Sequence, residues 1–459
     1  MDDVEDDTTH CEASPLLPSN NDNDASRWPI RSRWTELSLI SRYSLPLVAT
    51  YLLQYSFSVI TTSAAGHLGQ DDLAAAAIGV TTMNICGLAF FEGMATALDT
   101  LCAQAYGAGN KLGVGLHVQR MLLLMALATI PVGALWLSSP ALLSLVLKQE
   151  NLAVKAGSFL RVSLIGLPGY ASFEAGKRFL QSQGDFDTGM LILVVCAPVN
   201  ALLAWLFAFR LGMGLEGAAL GAALANDLRP VLLLLCIAFK RSSHQCWPGL
   251  SCRAFRGWGP MVRLSAAGSA VTLAEWAAFE VLTFSTSYLS TMHLGAQTIL
   301  TTTSVVMWHI PFSFSVGESG VLYSMLFVGI GLLDAIILFS LRNYIPYVYS
   351  ADPEIRDMVS RTMLSVACFQ VFDAVICGCN GVLRGLARTS FAAWVVFFVN
   401  YLGAVPLAMW LELGPAGMGL DGVWTGLGTG LVVIACIEVT YMISIDWRRC
   451  VDNVKCREE

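Results

Sequence analysis

Three carboxylic acids stand where a carboxylic acid is costly: Glu275, Glu280 and Asp373 each interrupt a long apolar run. A charged side chain at the centre of a membrane helix costs about 2.5–3.5 kcal/mol on insertion scales, so such a group tends to face a cavity and to act there. A carboxyl at that depth can alternate between a protonated form, tolerable in a low dielectric, and an ionised form that needs a cation. It thereby links two ligands through one charge. Glu275 and Asp373 lie near the middle of their runs, and Glu280 is turned about 140° from Glu275 around the same helix. The plainer alternative for all three is a buried, protonated carboxyl that only packs helices.

Other polar residues in the runs have simpler explanations. Asp334 and Asp227 fall in no recognised motif, and helix packing accounts for them. Glu174 is one turn from Lys177 and Arg178, the spacing of an ion pair at a helix end. Asp99 reads as a turn or cap residue, and Glu92 fits either reading. Gln54, Asn84, Gln370 and Asn380 suit interhelical hydrogen bonds better than ligand contact, although they could line a cavity. Trp276, Trp308 and Tyr401 could stack on an organic cation, but such rings more often fill helix contacts or sit at membrane interfaces.

Positioning these groups requires membrane helices. Hydrophobic residues make up 55% of the 459 residues and charged residues 13%, against about 25% charge in a soluble domain. Apolar runs predict about twelve spans near 44–66, 73–100, 118–138, 157–180, 188–209, 215–238, 262–289, 295–316, 321–341, 357–383, 390–411 and 421–445. The fold class is an all-α integral membrane protein of about twelve transmembrane helices. His67-Leu68-Gly69 recurs as His293-Leu294-Gly295, and Met213-Gly214-Leu215-Glu216-Gly217 recurs as Met418-Gly419-Leu420-Asp421-Gly422. The chain therefore reads as two related six-helix lobes, 41–240 and 263–446, joined by a cytosolic linker at 241–262. Duplicated bundles of this kind are the usual build of secondary transporters.

The first 40 residues, acidic at the start and rich in Asn, Ser and Pro, read as a disordered tail, and 447–459 as a second tail. Basic residues cluster on one side of the spans, which places both termini in the cytosol. Within the first tail, Glu12 followed by Leu16-Leu17 has the spacing that sorting adaptors read, so delivery to a vacuolar membrane competes with the plasma membrane. The net charge of −7 owes much to this tail and says little about substrate.

The thirteen cysteines form no CxxC pair and the six histidines lack ligand spacing, so neither a metal nor a cofactor is expected. No phosphate-cradling GxxxxGK[ST] loop is present, so energy would come from an ion gradient. No nucleophile–base constellation points to an enzyme.

Four strings in order resemble the multidrug and toxin extrusion (MATE) antiporters, particularly their eukaryotic branch. They are Ala97-Leu98-Asp99-Thr100-Leu101-Cys102-Ala103-Gln104-Ala105-Tyr106-Gly107-Ala108, Arg178-Phe179-Leu180-Gln181-Ser182-Gln183, Glu275-Trp276 through Glu280, and Gly381-Val382-Leu383-Arg384-Gly385. The resemblance implies export of small organic, often cationic, compounds in exchange for protons, with sodium as the other candidate ion. It also implies ion-coupling or substrate roles for Asp373, Glu275 and Glu280, and lends support to Asn84.

Two departures accompany the likeness. The repeat spacing shortens in the second half, and only Gly317-Glu318-Ser319-Gly320 stands between the eighth and ninth spans. Thr302 occupies the place where some members carry an acid, and Thr61 the place of a bacterial aspartate. Coupling then falls to the second lobe. The shortened hairpin keeps open a non-transporting paralogue, and the shared topology keeps open a lipid-type flippase.

Overall fold

In the computed structural model the structure describes residues 30–444, apart from 108, 148, 240–245, 248, 316–320, 386–388 and 416. Among these the regular structure is all helical, with twelve long helices. The first six are α1 (Ile30–Leu68), α2 (Gln70–Tyr106), α3 (Lys111–Leu137), α4 (Glu150–Gln181), α5 (Asp187–Arg210) and α6 (Gly214–Phe239). The second six are α7 (Gly259–Thr286), α8 (Thr291–Ser315), α9 (Val321–Leu341), α10 (Pro353–Leu383), α11 (Phe391–Leu413) and α12 (Leu420–Ser444). Eight of them, α2–α6 and α10–α12, are long and apolar enough to cross a membrane. Large apolar side chains such as Leu127, Ile130, Leu202, Leu234, Ile336 and Leu402 lie exposed on the bundle's outside, as a lipid-facing belt requires.

The two halves pack alike. In the first, α4 lies against α2, α3 and α6; in the second, α10 lies against α8, α9 and α12. The halves meet through α1 against α8 and α2 against α7. The duplicated Met-Gly strings build the same turn twice. Gly212 and Gly214 have φ of 68° and 61°, and Gly417 and Gly419 both have 57°, left-handed values that cost Gly little. Met213 N donates to Phe207 O and Met418 N to Leu411 O, each at 3.1 Å. The His-Leu-Gly pair differs: Gly69 breaks the chain between α1 and α2 at φ 148°, whereas His293-Leu294-Gly295 is taken into the first turn of α8.

Two expectations need adjustment. α1 begins at Ile30, inside the stretch expected to be a disordered tail, because Trp34, Leu37 and Ile40 extend the helical apolar spacing upstream. Asp99 is not a turn residue but lies within α2, which runs on to Tyr106. The inter-lobe linker carries a short 3₁₀ turn at Cys252–Phe255. Gln119 of α3 pins it, donating to Gly249 O at 2.7 Å and accepting from Ser251 N at 3.2 Å. The hairpin at Gly317–Gly320, Glu12, Leu16-Leu17 and the final residues 447–459 lie outside the described residues.

Candidate functional site

The inter-lobe seam is tight where glycines permit it. A Cβ on Gly93 would fall 2.4 Å from Ser269 Cα, and one on Gly268 would fall 2.4 Å from Gly93 O. Close approach lets Ser265 Oγ donate to Met94 O and Ser269 Oγ to Phe90 O, at 3.2 and 3.0 Å. Higher on the same seam, α2 passes through a π-turn at Asn84–Leu88, the kind of local widening that often marks a functional position. There Asn84 Nδ2 and Thr81 Oγ1 both donate to the Glu280 carboxylate at 2.7 Å. Glu280 is thus held by the opposite lobe.

The α1–α8 contact is aromatic. His309 lies 5.7 and 5.2 Å from the rings of Tyr51 and Tyr55, and Phe312 lies 5.5 Å from Tyr51. Trp308 stacks on Phe312 at 4.5 Å. Thr302, one helical stretch earlier, is buried and hydrogen-bonded to Tyr55.

Inside the first lobe a cluster of charges around Glu174 is compensated. Glu174 is fully buried and its carboxylate accepts from Lys177 Nζ at 3.0 Å, Arg178 Nη1 at 2.6 Å and Gln54 Nε2 at 2.9 Å. Lys177 also donates to Gln54 Oε1 at 3.1 Å, and Arg178 Nε reaches Asp99 at 3.4 Å. The sequence spacing gave the ion pair, but it is a buried network rather than a helix-end pair, and Gln54 belongs to it. Arg229 is buried beside it with its guanidinium 3.6 Å from the Phe57 ring centroid, a cation–π contact.

The second lobe has no such compensation at its centre. Asp373 is 9% exposed on α10, and Gln370, one turn earlier, is fully buried and accepts from Ser304 Oγ at 3.2 Å. Across the interface Asp334 of α9 is fully buried with neither carboxyl oxygen hydrogen-bonded. Among the described residues no ion pair reaches Asp334 or Asp373. The Glu275 side chain lies outside the described residues; its backbone is in α7. Tyr401 Oη donates to Ala274 O at 2.9 Å, a packing role.

The MatE family model matches residues 46–206 and 318–410, more than half of the chain. The chain belongs to the MATE family. It is similar to an uncharacterised transporter of Schizosaccharomyces pombe, 33% identical over 91% of this chain and 81% of that one. It is equally similar to an uncharacterised transporter of Saccharomyces cerevisiae, 33% identical over 93% of this chain but only 64% of that longer protein. Multidrug and toxin extrusion protein 2 of Oryctolagus cuniculus is 27% identical over 93% of this chain and 74% of its own length. The crystal structure of a eukaryotic MATE transporter superposes with a TM-score of 0.80 at 25% identity, covering 92% of this chain and 99% of that one. This MATE chain is accordingly a multi-pass membrane transporter and not an enzyme, built as two six-helix repeat lobes.

The structure brings Asn84 together with Glu280 and keeps Gln370 beside Asp373, while Gln54 and Thr302 serve other contacts. Asp334 is what sequence reasoning set aside. Its signal is the period of α9: Gly331, Asp334 and Leu338 are buried, whereas Leu332, Leu333, Ile336 and Phe339 are exposed. The acid therefore points away from lipid.

Proposed function

We propose that this MATE transporter is a secondary active antiporter that exports small organic, often cationic, compounds in exchange for protons, with Asp373 as the principal coupling acid and Glu275 and Glu280 as its partners. The observation that carries this reading is the uncompensated burial of Asp373 in the second lobe, set against the neutralised ion network of the first. A carboxyl without a fixed counter-charge needs either a proton or a cation, so the two compete for it. Protonation from the far side would release substrate, and deprotonation toward the cytosol would restore binding. The aromatic seam of Tyr51, Tyr55 and His309 offers ring faces to an organic cation. We take the lobes as 41–240 and 263–446, place both termini in the cytosol, and assign the protein to a vacuolar or plasma membrane.

The test is accumulation of a fluorescent organic cation in proteoliposomes under an imposed pH gradient. Wild type should accumulate it, and Asp373→Asn should not, while remaining folded and inserted. Equal gradient-dependent uptake by both would overturn the assignment. No uptake by correctly inserted wild type would favour a non-transporting paralogue, the reading that the shortened hairpin at Gly317–Gly320 suggests. Replacing Leu16 and Leu17 by Ala in a fluorescent fusion tests vacuolar sorting, and unchanged delivery would remove that role.

A further inference from the structure

The first lobe holds a cation that its ion network does not reach. Arg229 of α6 is 1% exposed, with its guanidinium carbon 3.6 Å from the Phe57 ring centroid and 5.6 Å from that of Phe173. Among the described residues no ion pair meets it, and its Nε has no hydrogen-bond partner. The acids on the flanking turns are engaged elsewhere. Glu174, beside Phe173 in α4, is held by Lys177, Arg178 and Gln54. The carboxyl of Asp227 lies over Gly169, where an added Cβ would fall 2.3 Å from Asp227 Oδ1. The ring contacts offset part of the cost of burying Arg229 but supply no counter-charge.

A second group without partners lies in the same layer. Ala64 of α1, Ala208 of α5 and Ala218 of α6 pack together. One turn further in, a Cβ on Gly221 of α6 would fall 2.6 Å from Ala204 N of α5, so these two helices run antiparallel in this register. α1 and α5, the first and fifth spans, run the same way. The layer after that therefore holds Phe57, Asn200 and Ala225. Arg229 is one turn beyond Ala225, and its side chain leans back toward the N-terminus of α6, which brings the guanidinium to Phe57. Asn200 is fully buried, and neither Oδ1 nor Nδ2 of its amide has a hydrogen-bond partner. A buried amide open at both ends is rare and calls for an explanation.

We infer that the first lobe contains a binding site for one small monovalent anion such as chloride, set between α1, α4, α5 and α6, with Arg229 as its counter-charge and the Asn200 amide as a neutral donor. The Phe57 ring covers one face of the guanidinium and leaves its edge for the anion. A guanidinium has five N–H donors, enough to serve the anion and Asn200 Oδ1 together, while Asn200 Nδ2 donates to the anion. The site lies in the lobe opposite Asp373 and does not depend on the coupling role assigned to that acid. A bound anion would hold the first lobe together without entering the proton cycle of the second.

Equilibrium binding of radioactive chloride to the full-length protein in detergent, at constant ionic strength with gluconate as the replacing anion, tests the site. Wild type should bind about one chloride per protein, and this binding should raise its unfolding midpoint until it saturates. Arg229→Met should abolish both responses. In gluconate that variant should unfold at the wild-type midpoint or above it, because it loses an uncompensated buried cation. Asn200→Leu keeps the charge and should weaken binding about tenfold, the loss of one hydrogen bond to a charged group. No saturable chloride binding by folded wild type would mean that water fills the layer, and the inference would fall. Wild-type affinity in Arg229→Met, or in Asn200→Leu if Arg229→Met does not fold, would place the ion elsewhere and overturn it as well.

Discussion

The two lobes solve the problem of buried charge in opposite ways. In the first, Glu174 is met by Lys177, Arg178 and Gln54, so every carboxylate oxygen has a donor. In the second, Asp334 has no donor and no cation pairs with Asp373 among the described residues. A compensated network has little reason to exchange protons, because protonating Glu174 would break its bonds to Lys177 and Arg178. An uncompensated acid has every reason to. The difference teaches that two lobes of one duplicated fold can divide the work, one as scaffold and the other as the site that titrates.

The comparison can be broken at its strongest point first. Glu174→Gln leaves Lys177 buried without its counter-charge and Arg178 with Asp99 alone, so it should destabilise the protein by about 3–5 kcal/mol. Unfolding in detergent reads this, and a wild-type midpoint would mean that the first-lobe network is not holding the fold. Next in size is the seam between the lobes. Gly268→Ala places a Cβ 2.2 Å from Thr96 Oγ1 and 2.4 Å from Gly93 O, an overpacking that should cost about 1–3 kcal/mol and lower transport together with stability. Asn84→Ala removes one of two donors to Glu280 and should cost about 1 kcal/mol by the same unfolding assay. Smallest of all should be Asp373→Asn, whose unfolding midpoint should match wild type or exceed it, because it removes an uncompensated acid without removing volume. Substantial destabilisation there would show that Asp373 packs rather than titrates.

Much of the fold was legible because apolar runs, duplicated turns and helix lengths are local properties. The Met-Gly repeats marked the two related halves, and the structure shows that they build the same turn, with positive φ at Gly212, Gly214, Gly417 and Gly419. The site was less legible because its meaning lies between helices. Asp373 stood out as an acid at membrane depth, and Glu280 likewise, but nothing in the spacing could tell that Glu280 faces Asn84 of the other lobe. Asp334 looked the same as any packing acid until the exposure pattern of α9 turned it away from lipid. Asp99 was misread for a related reason: a polar string can prolong a helix when a distant residue, here Arg178, answers it.

The most direct test of the division between lobes is proton release on substrate binding. Adding a permanently charged organic cation to purified protein in weakly buffered detergent solution, with a pH indicator, should release about one proton per bound cation from wild type, since the two compete for one site. Asp373→Asn should bind without releasing a proton, or not bind at all. Release of the same number of protons by Asp373→Asn and wild type would contradict the account.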